Sequence, residues 1–327
     1  MSNDDDDFDA LARHASQPDS SSVRTAAEDR AGAILEPSVI AQMVAAIEAT
    51  GDFRVLRRLT LDDVPTSTTE GEDSSIAAVV DVETTGTDPE RHKIIELALR
   101  RFRFDANGVI VKVDRPHAWL QDPGASLDKE IAALTGLSDA DLAGQAIDEA
   151  AATKLLKSAA VVIAHHAAFD RRFVERRLPE ASGMAWACSC HEIDWQAAGF
   201  AGNGLGWLLA QAGYFFNCAH RAGADVDAVI ALLRLKLGRG GTALRELIAT
   251  ASTPGWSVRA IGAHFDVKDR LKSRGYQWHE PTRSWRREVK DRDAEEAWLK
   301  ANVYAPAFRP RCAVPDIRPI TWKERFL

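Results

Sequence analysis

The stretch that most constrains this chain is Ile76-Ala-Ala-Val-Val-Asp81, a short apolar run with no polar residue until Asp81. Such a run reads as a strand buried on both faces, because a half-exposed strand would alternate apolar with polar residues. Ile94–Phe104 and Val109–Leu120 read as two further strands, joined by Asp105-Ala-Asn-Gly108, where Asn-Gly is a strong hairpin signal. Helical patterns follow near 127–134 and 147–158, then Ala160–Ala164 as a fourth strand and a helix over about 168–177. Met184–Cys188 reads as a fifth strand, with helices near 205–213 and 223–236. Three strands joined by a hairpin, followed by alternating helix and strand, predict an α/β domain with a mixed five-stranded sheet flanked by helices.

Around this block the composition changes. Residues 1–36 carry 3 basic and 9 acidic side chains and read as a disordered acidic tail. Residues 37–75 read as a helical segment, with Val39, Ile40, Met43, Val44 and Ile47 at helical spacing before Gly51, and then a polar linker. The main domain is expected over 76–240, and Gly238-Arg-Gly-Gly241 marks its end.

Residues 256–305 read as a small α+β module, and 306–327 as a C-terminal tail. In the module, a helix is expected from Asp266 to Ser273, a hairpin from Tyr276–His279 and Ser284–Val289, and a last helix over about 291–302. Residues 256–327 hold 16 basic and 10 acidic side chains and five of the nine tryptophans, within a chain of net charge −7. Tryptophans among basic residues either build a stacking platform beside a phosphate track or form the core of a very small domain.

No stretch approaches the roughly 18–20 consecutive apolar residues of a membrane span, and the start is acidic where a secretory signal would be basic. A cytoplasmic protein with no membrane partner is therefore expected. Four cysteines in 327 residues do not suggest a disulfide framework. Cys188-Ser-Cys190 is too tightly spaced for the usual zinc pair, so buried reduced thiols are expected. Gly202-Asn-Gly-Leu-Gly206 lacks the preceding strand of a phosphate loop and reads as a turn before a helix.

Three separated segments carry the chemistry. Asp81-Val-Glu83-Thr-Thr-Gly86 closes the first strand. Residues two apart on a strand share a face, so the two carboxylates project side by side, as ligands of a hard divalent cation must. Asp170 ends His165-His166-Ala-Ala-Phe-Asp170 after the fourth strand, and His220-Arg-Ala-Gly-Ala-Asp225 leads into the helix near 223–236. Taken singly, each admits a bland reading: a solvated strand end, or an acid favouring a helix dipole. Together and in order they supply four carboxylates and one histidine.

These segments resemble the three motifs of the DEDDh exonuclease family, D-x-E-T-x-G, H-N-x-x-F-D and H-x-A-x-x-D, a family that includes the proofreading epsilon subunit of DNA polymerase III. Arg221 stands where the tyrosine branch would place its tyrosine, and His220 marks the histidine branch. The resemblance covers about 76–236 and implies a ribonuclease H-like fold and 3′–5′ exonuclease activity. It further implies two divalent ions, Mg²⁺ or Mn²⁺, gathered by Asp81, Glu83, Asp170 and Asp225, with His220 as general base. Thr84, Thr85, Gly86 and His166 would contact substrate. The expected partner is a single-stranded or frayed 3′ end, with a DNA polymerase as a further candidate.

DNA is the expected substrate, but relatives in the family degrade RNA, and the 2′ contacts that decide the sugar are not legible in a sequence. A non-catalytic nucleic-acid-binding polymerase accessory subunit is the alternative, disfavoured because a scaffold needs none of the five residues. Two departures from the pattern bear on substrate contacts: His166 replaces the usual Asn, and Thr87 follows Gly86 where an apolar residue is common.

Overall fold

A computed structural model of the chain describes residues 36–61, 74–216, 220–238, 240–305 and 314–327. Residues 1–35 of the expected acidic tail and most of the expected linker lie outside the described residues, as do Cys218 and Cys312. The chain divides into two units, Met1–Val55 and Leu56–Leu327. The first holds helix α1 (Pro37–Glu48), which has no buried residue; Val39, Ile40, Met43 and Ile47 are all exposed.

The second unit is built on a six-stranded sheet. After a two-residue strand β1 (Arg57–Arg58) come β2 (Ser75–Thr84), β3 (Ile94–Phe104), β4 (Ile110–Val113) and β5 (His117–Leu120). Helices α2 (Lys129–Thr135), α3 (Asp139–Leu142) and α4 (Glu149–Lys157) lead to β6 (Val161–Ala164), then α5 (Ala167–Arg177) and β7 (Trp186–Cys188). Helix α6 (Leu205–Gln211), β8 (Tyr214–Phe215), which pairs with β1, and α7 (Ala222–Leu233) complete the expected domain.

The sheet order is β4-β3-β2-β6-β7, with β5 also on β3. β2 runs antiparallel to β3 and parallel to β6, and β6 runs parallel to β7. The sheet therefore has six strands rather than five. The single strand expected over 109–120 is split at Asp114-Arg-Pro116, where a proline cannot donate to the ladder.

Alternation along β2 separates two cores. Ala77 and Val79 face one side, packed with Val226, Ala228 and Val229 of α7 and with Leu208 of α6. Ala78, Val80 and Val82 face the other, packed with Leu156 of α4 and Phe173 and Val174 of α5. Both faces of β2 are thus covered, which is why its sequence carries no polar alternation.

Beyond α7, helix α8 (Ala243–Ser252) starts at Thr242, whose hydroxyl accepts from Arg245 N–H at 3.1 Å and donates to Gly108 O at 2.6 Å. Leu244, Leu247 and Ala251 bury its inner face in the α7-side core. A second sheet follows, of β9 (Gly255–Ala260), β10 (Gln277–His279), β11 (Ser284–Val289) and β12 (Asp316–Ile320), ordered β10-β11-β9-β12 and antiparallel throughout. Helices α9 (Lys268–Ser273) and α10 (Arg292–Asn302) cover it over a separate core of Val258, Leu271, Tyr276, Leu299 and Val303. Trp285 packs against that core, whereas Trp278 is 47% exposed.

The last residues dock onto the first sheet's domain. Arg171, fully buried on α5, donates to the carbonyls of Arg325 and Lys323, and Trp186 N–H of β7 donates to Trp322 O at 2.9 Å. Arg325 pairs with Glu192 at 2.9 Å and Glu288 at 2.7 Å and donates to the carbonyls of Ala251 and Thr253.

Candidate metal centre and active site

The alternation that divides the cores also builds the site. Asp81 and Glu83 continue the odd-numbered face of β2, the face that α7 covers, and Asp225 lies in the first turn of α7. One oxygen from each of these three carboxylates lies within 4.8 Å of the other two. Asp170 arrives from α5 on the opposite face, so it reaches the strand end from behind. Its Oδ1 accepts the Val82 N–H at 3.2 Å, and it is buried. At this point the β2–β3 register shifts between Glu83 and Thr84, an irregularity that re-aims the strand end.

Among the described residues no cation forms an ion pair with any of the four acids; Arg221 only opposes the shift of Glu83. Burial, then Asp170, Asp225, Glu83 and Glu96, push the Asp81 carboxyl well above the carboxylate range. Glu83 is pushed up to about 8 by burial and then by Asp225, Glu96 and Asp170, against a weaker pull from Arg221. Burial takes Asp170 to about 7, opposed by its own and Val82's backbone N–H groups and reinforced by Asp225. Asp225 also reaches about 7, through burial and then Glu96, opposed by N–H donors of His220 and Arg221. An all-oxygen cluster whose members raise one another is what a hard divalent cation would relieve, and the donor set fits Mg²⁺ or Mn²⁺ better than zinc.

His220 is exposed on the turn before α7, in the left-handed region at φ 62°, and its backbone N–H donates to Asp225 Oδ2 at 3.1 Å. Its ring makes no hydrogen bond among the described residues.

The structure adds one residue that sequence reading passed over. Glu96 sits directly across from Glu83 in the β2–β3 ladder and is buried. It takes Arg221 Nε at 3.0 Å and Nη2 at 3.3 Å, and also accepts the Ala222 N–H, the first orphan donor of α7. Glu96 thus ties the ladder to the turn that carries His220. A lone acid inside the apolar run Ile94-Ile-Glu-Leu-Ala-Leu99 was its available signal.

The expected substrate contacts fall around the end of β2 and the start of α5. Thr84 is buried, with its hydroxyl donating to Gly86 O at 2.7 Å, and Thr85 Oγ1 accepts Lys93 N–H at 3.0 Å. A Cβ on Gly86 would lie 2.6 Å from the His92 ring, so only glycine admits that packing. His166 is exposed, with its ring edge-on to His191 at 5.5 Å. Its neighbour His165 is locked between Ser189 Oγ at 3.0 Å and Asn203 O at 2.8 Å, and burial pulls it down to about 4, which leaves it neutral. Among the described residues, the three carboxylates are the one group of His, Cys, Asp and Glu placed to share an ion. Cys188 and Cys190 are free thiols, both pushed up by burial.

Residues 78–233 match the exonuclease family RNase T. The chain is 29% identical over 164 residues to ribonuclease T of Shewanella frigidimarina, covering 46% of this chain and 71% of that protein. It is 31% identical over 110 residues to ribonuclease T of Vibrio parahaemolyticus (29% and 51%), and 29% identical over 109 residues to that of Histophilus somni (29% and 50%). The chain thus spans about half the length of the latter two. Among solved structures, it is similar to the zinc-bound E. coli exonuclease I complex with single-stranded DNA, at 17% identity and TM-score 0.43, covering 76% of this chain and 64% of that one. It is also similar to exonuclease X in complex with 5′ overhanging duplex DNA, at 19% identity and TM-score 0.38, covering 54% and 93%. No helix of the described residues is long and apolar enough to cross a membrane. Residues 78–233, just under half of this chain, thus carry the match to an exonuclease family model.

Proposed function

We propose that this chain is a divalent-metal-dependent exonuclease that removes nucleotides one at a time from the 3′ end of single-stranded or frayed DNA. The observation that carries this reading is the uncompensated cluster of Asp81, Glu83 and Asp225, with Asp170 behind it at the strand end. These four carboxylates would hold two ions, Mg²⁺ or Mn²⁺. Bound there, the ions would neutralise charge on the scissile phosphate and stabilise the leaving 3′ oxygen.

The chain's own groups do the rest. His220, exposed and without a side-chain partner among the described residues, takes the proton of the attacking water onto its imidazole. The water oxygen bonds to phosphorus as the bond to the 3′ oxygen breaks, giving a 5′-mononucleotide and a strand shortened by one. Glu96 and Arg221 hold the His220 turn against the ladder. Thr85, Gly86 and His166 border the place of the terminal nucleotide. Thr84, whose hydroxyl is committed to Gly86, shapes that border from beneath. A polymerase partner would present frayed 3′ ends to such a site. RNA is the second reading, favoured by the matched relatives being ribonuclease T.

The test is a matched pair of 5′-labelled single-stranded DNA and RNA oligonucleotides, incubated with Mg²⁺ and with chelator. The proposal expects a stepwise ladder shortening from the 3′ end, abolished by chelator, and faster on DNA than on RNA. No Mg²⁺-dependent cleavage of either strand would reject the nuclease assignment, and faster cleavage of RNA would select the second reading. His220→Ala should lower the rate by about 10²- to 10⁴-fold while leaving Mn²⁺ affinity unchanged. A variant with the wild-type rate would remove His220 from the mechanism.

A further inference from the structure

Helix α5 presents two faces to two different places. Asp170 points inward to the end of β2, while Ala168 and Arg172, each two positions away and one helical turn from each other, lie on the opposite side. That outer side forms one wall of a groove of about 970 Å³. The β10–β11 hairpin also lines it, with Trp278, His279 and Arg286, as does Leu327.

The cations of this unit divide into two classes. Arg259, Arg274, Arg287 and Arg325 are all spent on carboxylates, pairing with Asp316, Glu295, Glu295 and Glu288. Arg172 and Arg286 have no ion-pair partner among the described residues, and both face the groove. The Nε of Arg286 is buried without any hydrogen-bond acceptor. Glu288, the one acidic side chain lining the groove, is already committed to Arg325.

The shifts agree with this placement. Burial and then Arg259 pull Arg286 below its ordinary value, and burial followed by Arg286, Arg172 and Arg259 does the same to His279. The groove therefore lacks anions rather than cations. Beside these groups stands Trp278, nearly half exposed yet fixed edge-on against Trp285 at 5.5 Å, with its indole N–H on Glu280.

We propose that this groove binds the part of a single-stranded nucleic acid that lies upstream of its 3′ end, with Arg172 and Arg286 on backbone phosphates and Trp278 stacked on a base. Unpaired guanidiniums supply bidentate phosphate contacts, and an ordered aromatic face accepts any base, the two elements of sequence-tolerant single-strand binding. The direction of the strand rests on the nuclease reading of the carboxylate site. A strand leaving that site over the exposed start of α5 at His166 has one helix diameter, about 10 Å, to cross before reaching Arg172. The groove walls cannot drift apart, because Arg325 and Arg171 bolt the C-terminal residues and the second sheet to α5.

The experiment separates the groove from the chemistry. Fluorescence anisotropy of a labelled 20-nucleotide single strand is measured on the full chain in chelator across a salt series, with DNA and RNA in parallel arms. Trp278→Ala should bind about tenfold more weakly. The Arg172→Ala/Arg286→Ala double variant should lose about 1.4 units of log–log salt slope, at about 0.7 per phosphate contact. Arg172→Glu, on an exposed helical position that leaves folding untouched, should weaken binding at least as much as Arg172→Ala. In Mg²⁺, all variants should cleave a tetranucleotide at the wild-type rate. Binding by all variants with wild-type affinity and salt slope would overturn the groove, as would a wild-type chain that does not bind the 20-mer. Cleavage of neither length by a wild-type chain that still binds in the predicted way would reject the nuclease reading and leave the groove standing.

Discussion

Two clusters of buried charge in this molecule are built on opposite plans. Around Arg325, two carboxylates and two backbone carbonyls surround one guanidinium, and Arg171 next to it is satisfied by Glu175 and two further carbonyls. Burial alone would pull Arg325 down, but Glu288 and Glu192 outweigh it and hold the charge on. At the end of β2 the arithmetic is reversed. Asp81, Glu83, Asp170 and Asp225 are gathered with Glu96 behind them, and Arg221 is the cation that opposes Glu83's shift. A cluster that is complete in its own residues is a fastener. A cluster of like charge that stays incomplete is destabilising to the apo fold and makes sense only with a cation from outside.

The largest expected effects follow from exchanging the two behaviours. Asp81→Asn should nearly abolish Mg²⁺-dependent cleavage while the metal-free protein becomes more stable than wild type. The sign follows from the direction of the shifts: the folded-state values lie above those of the unfolded chain. The wild-type cluster therefore loses stability as pH rises from about 4 through about 7 to 8, where Glu83, Asp170 and Asp225 give up protons. Melting temperatures in chelator at pH 5 and pH 8 check this, and the gap between variant and wild type should widen at pH 8. A variant less stable than wild type at pH 8 would show that Asp81 serves the fold.

Arg325→Ala should behave in the opposite way. It strands Glu192 in a buried site and should cost about 3–5 kcal/mol in denaturant unfolding. Cleavage of a tetranucleotide per folded molecule should stay unchanged. A loss below about 1 kcal/mol would show that this cluster is not a fastener.

The contrast also marks what could be read in the sequence. Asp81 and Glu83 are legible from a strand's two-residue period, and Asp225 only from the ordered set of three motifs; the structure brings the three together. Asp170 stands apart from that trio because α5 covers the other face of the sheet, a matter of layer topology that no local pattern records. Strand β12 escaped notice because Asp-Ile-Arg-Pro-Ile carries a proline, tolerated there because the strand lies at the sheet edge. Its partner β9 lies some sixty residues earlier, so nothing nearby announces the pairing. Helix α8 has the amphipathic spacing of Leu244, Leu247 and Ala251, yet the glycines at 238–241 read as a domain end when they only turn the chain back onto the same core. Residues 306–327 read as a tail because the partners of Arg325 and Arg171 lie far apart in the sequence.

A smaller effect sharpens the comparison from within the incomplete cluster. Glu96→Gln keeps the shape of the side chain but removes the charge that anchors Arg221, and with it the His220 turn. A charge-assisted hydrogen bond of this kind is worth about 1.5–3 kcal/mol, so kcat should fall about tenfold or more while KM on a short oligonucleotide stays near wild type. An unchanged kcat would mean that the His220 turn holds its place without Glu96.

The central claim, that the end of β2 is a charge cluster completed by divalent cations, is tested most directly by calorimetric titration of Mn²⁺ into the chelator-stripped chain at pH 6, 7 and 8. Because Glu83, Asp170 and Asp225 hold protons into the neutral range, binding should displace them, seen as a heat that depends on the buffer's ionisation enthalpy. Affinity should tighten from pH 6 to pH 8, and Asp81→Asn should lose most of the binding at every pH. Binding that is independent of pH, or identical in wild type and Asp81→Asn, would contradict the account.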